Sequence, residues 1–588
     1  MMQIKYINNR FLPFLPYVIF FTGSFIFFGF FADYIGFYQE KQSLFVLSCD
    51  YLSDNIKQPG SLLKYIGIFL TTFSYYKFAG ALIISLTICL IICFISKIIS
   101  FLSDRESLVL PFILGTAYFV IQTKYQYLFY NNLGVLLQLV LFYLTVRYLK
   151  GFIPVIIFPI WYWITGGFAW IFALMYSFFL IRNSIKKGWP KIITLFLLSF
   201  FSIYLLKEFF IFQTIETLLT FPFSDEDTGS QFRFFILLTV FIILIPFISR
   251  IKIKTPVRIS NSTIAGPVKL AVLPLLMIVT SSILCSDKTV KEYFYAEKLF
   301  YQEKYHELTS FLLQHPTTNR LTIYLNNVAL CETGRLNDLL FHFPQSPDGQ
   351  TLFLKWEMFG EVLKRGGYFY YTTGMINEAH RWAYENMVMK GTTPEGLKML
   401  IKTEIINGNY KVASKYISIL KNTFFYSKEA GEFAKLLYNE DAVNSHPELG
   451  VKRKEKIGHD FFSITDDPYV NIERVLSHDP LSLKAYEYKL AYLMLTEDYK
   501  EISIILKLLE KTGYKKIPVH TEEAAMVCKI SDAKLNVDFE NLKINPQTEA
   551  RFNQFLQTFQ FYGNNLKSAQ PILKQKFGNT FWYYAFYH

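Results

Sequence analysis

The sequence predicts an all-α protein that joins a polytopic helical membrane domain, residues 1–285, to an α-solenoid, residues 286–588. Three observations carry this prediction: nine apolar runs before Ser286, basic residues concentrated between those runs, and paired amphipathic helices that recur after Ser286. Up to Cys285, 22 Lys and Arg stand against 11 Asp and Glu, and 37 stand against 36 afterwards. The first part therefore carries +11 of the net charge of +12, and the second part carries +1.

The apolar runs of the first part are rich in Phe, Ile, Leu and Tyr, the composition of membrane-spanning helices. They occupy residues 11–32, 79–101, 108–123, 132–149, 152–165, 167–181, 192–212, 233–249 and 270–285. The first run follows Lys5 and Arg10. It is too long for the apolar core of a signal peptide and no small-residue cleavage site follows it, so it predicts a retained anchor.

The uncharged stretch from Phe152 to Ile181 has 30 residues, between the roughly 20 that one crossing needs and the roughly 40 that two need. Two crossings that turn at Thr165-Gly166-Gly167 place 15 bases and 2 acids on one side, and 7 bases and 9 acids on the other. A single crossing would move the cluster from Arg182 to Lys191 across the membrane and remove this bias. Because Lys and Arg stay on the cytoplasmic side during insertion, the sequence predicts two short crossings here and about nine in total.

This arrangement predicts a cytoplasmic amino terminus and a carboxyl-terminal domain outside the membrane, which is the periplasm if the membrane is the inner membrane of a Gram-negative bacterium. Charge in the loops of a hydrophobic half indicates topology and excludes nucleic acid as a partner. The predicted cytoplasmic charges are Lys5, Arg10, Lys97, Asp104, Arg105, Glu106, Arg147, Lys150, Arg182, Lys186, Lys187, Lys191, Arg250, Lys252, Lys254, Arg258 and Lys269.

The second part contains a repeat of paired helices. Gly374 and Ala379 in "TGMINEAHRWAYENM" recur 34 residues later as Gly408 and Ala413 in "NGNYKVASKYISIL". A period of 34 is that of tetratricopeptide repeats, whose small residues lie where paired helices pack closely. The sequences "ETGRLNDLL" and "TEDYKEISIILKLLEK" resemble degenerate copies. The pattern predicts a TPR-like α-solenoid.

Residues 439–467, which include "KRKEK" at Lys452 to Lys456, show little apolar periodicity. A run of like charges is usually a solvated face. The sequence therefore predicts a solvated loop or a break between repeats.

The first outer loop, residues 33–77, is the most unusual region of the membrane domain. It is long and acidic, and it includes two amphipathic pieces that suit the membrane surface. A carboxylate beside the bilayer can act as a general base, either in a partly buried setting or with a divalent cation that orients it. The candidate acids are Asp33, Glu40 and Asp50; a solvated polar loop is the plainer interpretation.

Basic residues are scarce on the predicted outer side, where they could hold a lipid phosphate. Four of them lie beside the outer ends of spans: Lys77, Lys124, Lys207 and Arg233. Snorkelling towards lipid headgroups explains the same positions. Trp161 and Trp163 flank the predicted outer turn, where an aromatic belt or a surface for stacking sugars would place them.

Motifs of other kinds of chemistry do not occur in the sequence. It has no Walker loop, no G-x-S-x-G, no dinucleotide fingerprint, and no C-x-x-C or H-E-x-x-H spacing. We therefore expect no metal site built from protein ligands.

The cytoplasmic amino terminus, the long acidic loop after the first span and the uneven span lengths together resemble the GT-C superfamily of polytopic glycosyltransferases. This resemblance covers Met1 to Cys285 and implies a polyprenyl-phosphate-linked sugar as donor, with an acid of the first outer loop as base. In place of the usual Asp-Glu or Asp-Asp pair this loop has "YQEKQ", which makes Glu40 the counterpart. With the repeats added, the architecture is similar to TMTC-type protein O-mannosyltransferases.

A second resemblance covers most of the chain. "GMINEAHRWAYENM", "INGNYKVASKYISILKNTFFY", "AYEYKLAYLML" and the ending "FWYYAFY" resemble an uncharacterised family of Gram-negative multispan membrane proteins with repeat tails. This likeness implies no particular activity.

Two functions follow as hypotheses. The first is a glycosyl or oligosaccharyl transferase of the inner membrane, with a periplasmic or secreted protein acceptor held by the repeats and with membrane lipid around its site. The second is a non-catalytic membrane scaffold whose repeats assemble envelope partners. A transporter has less support, because few ionisable residues fall within the spans and no inverted repeat is evident.

Overall fold

Every regular element that the computed structural model describes is a helix, which confirms the predicted all-α class. The chain divides into two compact units, described separately below. The first unit is Met1–Lys288 with Asn422–Phe425, and the second is Thr289–Lys421 with Tyr426–His588. The described residues are 12–103, 109–223, 230–249, 265–356, 361–457, 467–563 and 565–587.

The first unit contains α1 Leu15–Ile26, α2 Asp33–Gln42, α3 Cys49–Asp54, α4 Ser61–Thr72, α5 Lys77–Ser103, α6 Val109–Gln122, α7 Phe129–Tyr148, α8 Ile153–Thr165, α9 Ala169–Asn183, α10 Ile185–Phe209, α11 Ile215–Thr220, α12 Ser230–Ile243, α13 Ile245–Ile248 and α14 Ala265–Cys285. A π-helical turn, Phe27–Phe31, prolongs α1.

Each of the nine predicted apolar runs coincides with a helical segment of the first unit. By length and composition, four helical runs among the described residues could cross a membrane, and up to six could if bent pairs count as single spans. The chain is thus consistent with a membrane protein. The four runs are Lys77–Ser103, Phe129–Tyr148, Ile153–Asn183 and Ile185–Phe209.

The run Ile153–Asn183 is interrupted at Gly166, where φ is +58° and the sequence predicts a turn. The ring of Phe152 lies 5.8 Å from the Lys191 ammonium, and Leu180 packs against Gly188, so both ends of the run lie beside the start of α10. A straight helix would separate Phe152 from Leu180 by about 42 Å at 1.5 Å per residue. The chain therefore reverses direction at Gly166.

Contacts at the two ends of the first unit follow the predicted grouping of its connections. At one end, the Arg182 guanidinium donates to the carbonyl oxygens of Leu102 and Pro246 and to the Ser249 hydroxyl, which joins the ends of α5, α9 and α13. All of these segments lie on the predicted cytoplasmic side. Several charges used for the topology prediction lie outside the described residues: Lys5, Arg10, Asp104, Arg105, Glu106, Arg250, Lys252, Lys254 and Arg258.

At the other end, three predicted outer connections meet with almost no space between their backbones. The Gly60 amide donates to the Trp163 carbonyl oxygen at 3.0 Å, and the Gly167 amide donates to the Phe221 carbonyl oxygen at 2.7 Å. A Cβ on Gly166 would lie 2.3 Å from that same Phe221 oxygen, closer than any side chain tolerates. Glycine is therefore required at the turn between α8 and α9.

The second unit contains α15 Lys288–Tyr301, α16 Tyr305–Gln314, α17 Arg320–Glu332, α18 Leu336–Leu339, α19 Gly367–Thr372, α20 Ile376–Lys390, α21 Pro394–Ile406, α22 Tyr410–Lys421, α23 Ser427–Ala434, α24 Glu440–Ser445, α25 Leu449–Glu455, α26 Pro468–His478, α27 Leu483–Leu495, α28 Tyr499–Leu506, α29 Val519–Ser531, α30 Pro546–Phe561, α31 Leu566–Phe577 and α32 Phe581–Tyr587.

One turn recurs in the second unit. Among the described residues, left-handed residues stand two positions before six helices of this unit. Tyr438 before α24 is one, and the other five end the preceding helix in one recurring way: Glu303, Gly334, Gly374, Gly408 and Glu497. After each of these five, the next amide donates to the carbonyl five residues earlier at 2.8–3.1 Å, which is the Schellman helix end. Ala379 and Ala413 are fully buried at equivalent positions of α20 and α22. Helix pairs thus recur, while the TPR-like assignment stays a prediction.

The recurring turn gives a matched pair of substitutions. At Gly408, where φ is +76° and an added Cβ meets nothing within 4 Å, alanine should destabilise by about 1 kcal/mol through backbone strain alone. At Glu497, where φ is +56°, glycine should relieve the same strain and not destabilise. Chemical unfolding of the purified full-length protein measures both, and a stabilising Gly408→Ala would contradict the assignment of strain.

Candidate functional site

The predicted outer loop at residues 33–77 is helical. It contains α2, α3 and α4, and α2 follows the first apolar helix at an angle of 72°. Asp33 is the first residue of α2, where the helix dipole favours a carboxylate. Glu40 lies near the other end of α2 and is only 4% exposed. Its Oε2 atom is 3.5 Å from the Lys41 ammonium.

A buried polar network lies directly beside Glu40 in the chain. The Gln39 side-chain amide donates to the Tyr127 carbonyl oxygen at 3.0 Å, and the Tyr127 hydroxyl donates to Asn132 Oδ1 at 2.9 Å. The Asn132 amide donates in turn to Gln122 Oε1 at 2.8 Å. This network ties α2 to the connection between α6 and α7, which fixes the position of the helix that carries Glu40.

Lys124 and Arg233 lie on segments next to that network. The Tyr38 and Tyr125 rings are 4.8 Å apart, so the connection at residues 123–128 packs on α2. The Gln231 amide donates to Gln126 Oε1 at 3.3 Å, which brings the start of α12 to the same connection. Both basic residues are exposed. The structure thus places the segments of Glu40, Lys124 and Arg233 side by side.

The other predicted residues have different surroundings. Asp50 is exposed in the first turn of α3, and Lys77 is exposed at the start of α5 with its ammonium 4.8 Å from the Phe78 ring. Lys207 pairs at 3.0 Å with Glu208 near the end of α10. Lys77 and Lys207 therefore interact with neighbours in their own segments, and their predicted role in holding a lipid phosphate stays a prediction.

The two predicted tryptophans hold α8 in place. The Trp161 indole donates to Gln138 Oε1 on α7 at 2.7 Å, and the Trp163 carbonyl accepts the Gly60 amide. Both side chains are half-buried. The indole of Trp161 thus has a packing role within the first unit, whereas Trp163 makes its contact through the backbone, and sugar stacking stays a prediction for both.

A pocket in the second unit was not predicted from the sequence. It is open to solvent and combines aromatic with charged side chains. We call it the Lys402 pocket. Its lining consists of Phe300, Tyr301, Glu303, Tyr305, Val328, Glu332, Tyr368, Tyr371, Thr372, Glu395, Lys398, Met399, Lys402, Glu429 and Glu448.

Lys402 bridges two carboxylates of this pocket. Its ammonium is 2.8 Å from Glu303 and 2.7 Å from Glu448, and the Tyr371 hydroxyl also donates to Glu448 at 2.7 Å. Burial disfavours ionisation of Glu448, but the Lys402 ammonium and these hydrogen bonds outweigh it and lower the pKa of that carboxyl. One turn away on α21, Lys398 lies 2.9 Å from Glu429.

Glu332 lies deeper and accepts hydrogen bonds from two ammonium groups, those of Lys452 and Lys484, both at 2.7 Å. Burial opposes its ionisation, yet the two lysines dominate and lower the pKa of Glu332 to about 2. Lys452 is only 3% exposed.

The prediction of a solvated loop at residues 439–467 is therefore wrong in part where the structure describes it, because the segment forms helices and Lys452 is buried, while most of its other residues are exposed or half-buried. That part forms α24 and α25, and Lys452 turns inward because Glu332 compensates its charge. Glu332 is 120 residues from Lys452 and 152 residues from Lys484 in the sequence. No local sequence pattern could therefore predict this cluster. Residues 458–466 lie outside the described residues.

Within the described residues, no three His, Cys, Asp or Glu side chains are arranged to hold a metal ion. Comparison with known proteins gives one finding. A family model described as a family of unknown function (DUF6057) matches residues 9–588. No curated protein and no solved structure matches the sequence significantly.

Proposed function

We propose that this chain, which belongs to the DUF6057 family, is a glycosyl or oligosaccharyl transferase of a bacterial inner membrane. It would use a polyprenyl-phosphate-linked sugar and a periplasmic or secreted protein acceptor held by the helical repeats. The observation that carries the proposal is the buried Glu40, which lies on a helix that the Gln39 network fixes, next to segments that bear Lys124 and Arg233.

In the proposed reaction Glu40 is the general base. It takes a proton from the acceptor hydroxyl as that oxygen bonds to the anomeric carbon, and the bond from this carbon to the phosphate oxygen breaks. The polyprenyl phosphate leaves with the bonding electrons, and Lys124 or Arg233 holds its charge. The Gln39 hydrogen bond fixes the helix that carries this base, which lowers the entropy lost on reaching the reactive geometry.

The proposed topology has nine crossings, with the amino terminus in the cytoplasm and the second unit in the periplasm. The reversal at Gly166 supports it, and so does the collection of predicted cytoplasmic connections around Arg182. The arms α8 and α9 have 13 and 15 residues, about 20 and 22 Å of helix. Such short arms fit a bilayer where neighbouring protein shields them or the bilayer thins.

Cys49 tests this topology without an introduced residue. It is exposed on α3, whereas the other five cysteines are half-buried or buried. In intact spheroplasts, a membrane-impermeant thiol reagent should label the wild-type protein and fail to label Cys49→Ser. Lys187→Cys in the Cys49→Ser background should react only after the membrane is opened. Labelling of Lys187→Cys in intact spheroplasts would contradict two crossings in the stretch 152–181.

The competing function is a membrane-anchored scaffold that catalyses nothing. The Lys402 pocket favours it. Lys398 and Lys402 are both held in ion pairs, which suits a binding surface better than a site that transfers protons. Transfer and assembly differ in one measurable respect: only transfer requires a particular carboxylate in the first unit.

A further inference from the structure

The Lys402 pocket has more negative than positive charge. Its lining has five glutamates and two lysines. Three further charged groups contact the lining residue Glu332 directly or through a neighbour: Lys452, Lys484 and Glu455. Lys452 and Lys484 both pair with Glu332, and Lys484 also lies 3.3 Å from Glu455. The complete set of six glutamates and four lysines carries a charge of −2.

The charge is arranged by depth. Glu332 and Glu448 lie at the base, where their side chains are 14% and 27% exposed. Glu303 and Glu429 lie at the opening, where their side chains are 52% and 41% exposed. The inner carboxylates are compensated by Lys402, Lys452 and Lys484, so the excess negative charge lies at the opening, where a cationic side chain would first meet it.

Aromatic rings form the remaining wall. The ring of Phe300 is 4.9 Å from that of Tyr368 and 5.7 Å from that of Tyr305, so three rings form a continuous surface. The Lys398 ammonium lies 4.8 Å from the ring of Tyr426, so a lysine of the protein itself already makes a cation–π contact beside the pocket. Aromatic faces attract cations and also accept the methylene groups of Lys and Arg stems.

We propose that the Lys402 pocket binds the side chain of an arginine or lysine presented by a polypeptide partner. Excess carboxylate charge at the opening supplies the attraction, because Glu303, Glu395 and Glu429 outnumber Lys398 there, and the rings hold the apolar stem. This inference goes beyond transfer chemistry, since it concerns the second unit alone and holds whether the first unit is a transferase or an anchor. A guanidinium fits best, because it can be held by two carboxylates at once and stack on a tyrosine.

The test uses the full-length protein in detergent and a fluorescent Gly-Ser peptide that carries arginines. The counterpart peptide carries citrulline, which has the shape of arginine without its charge. We expect the arginine peptide to bind at least about ten-fold more tightly than the citrulline peptide, a difference of about 1.4 kcal/mol. Spermidine should compete weakly, because it is not presented by a polypeptide.

The double variant Glu303→Gln, Glu429→Gln should weaken binding of the arginine peptide by about ten-fold or more. Its matched control is Glu307→Gln, Glu432→Gln, which removes the same charge from two exposed ion pairs outside the pocket lining. Equal affinity for the two peptides, equal loss in the two double variants, or no binding at about 1 mM peptide would each overturn the proposal. Stronger binding of spermidine than of the peptide would assign the pocket to free polyamines instead.

Discussion

Glu40→Gln should lower transfer activity by about 10²–10⁴-fold, while the protein still inserts and accumulates. Glutamine keeps the shape of the side chain and its place beside the Gln39 network, but it cannot take a proton from the acceptor. Such a loss corresponds to a barrier increase of roughly 3–5 kcal/mol. Complementation of a deletion strain, with protein abundance measured in the same cells, separates lost activity from lost protein.

Asp54→Asn is the control for this variant. Asp54 belongs to the same predicted outer segment, but its side chain is 67% exposed and pairs with Lys57, which is equally exposed. Surface pairs contribute little to stability, so this variant should complement almost fully. Asp50, which is also exposed, was a second candidate base. If Glu40→Gln and Asp50→Asn both complement as well as the wild type, the catalytic role fails and the scaffold becomes the better account.

Glu332→Gln should destabilise the second unit by about 3 kcal/mol or more. The substitution removes the carboxylate that Lys452 and Lys484 both contact at 2.7 Å and leaves them the more distant Glu455, at 3.7 and 3.3 Å. A buried charge that loses its partner keeps its desolvation cost and loses its compensation. Glu432→Gln is the matched control, because its solvent-exposed pair with Lys435 should contribute little to stability.

The same cluster predicts a pH dependence. The pKa of Glu332 is about 2 in the folded protein, below the ordinary value of 4.5, because the two lysines favour its ionised form. Its contribution to stability is therefore complete above about pH 4.5 and is lost as the pH falls towards 2. Unfolding of the wild type should become easier across this window, and Glu332→Gln should show a smaller change. Parallel pH profiles would contradict the assignment.

The helices of the first unit were predictable because their signal is local. A run of apolar residues and the lack of charge mark the nine predicted runs, and Gly166 marks the reversal within the longest uncharged stretch. The recurring turn of the second unit was visible in part. Gly374 and Gly408 predict this turn, because glycine favours the left-handed conformation. Glu303 and Glu497 adopt the same conformation, which their residue type does not predict.

The sites were less predictable because their partners are distant in the chain. Gln39 contacts a backbone oxygen 88 residues away, so the sequence could nominate Glu40 without showing what fixes its helix. Lys452 lies in a charged run that usually indicates a solvated surface, yet a carboxylate 120 residues away allows its burial. Whether such a charged residue is buried depends on a partner that is distant in the sequence, and a local sequence pattern cannot predict that partner.

Mass spectrometry of the envelope glycans tests the central claim most directly. A deletion strain should lack a sugar modification that the wild-type gene restores and the Glu40→Gln variant does not. Because a scaffold needs no base, unchanged sugar composition in the deletion strain, or full restoration by Glu40→Gln, would contradict the account of this chain as a transferase.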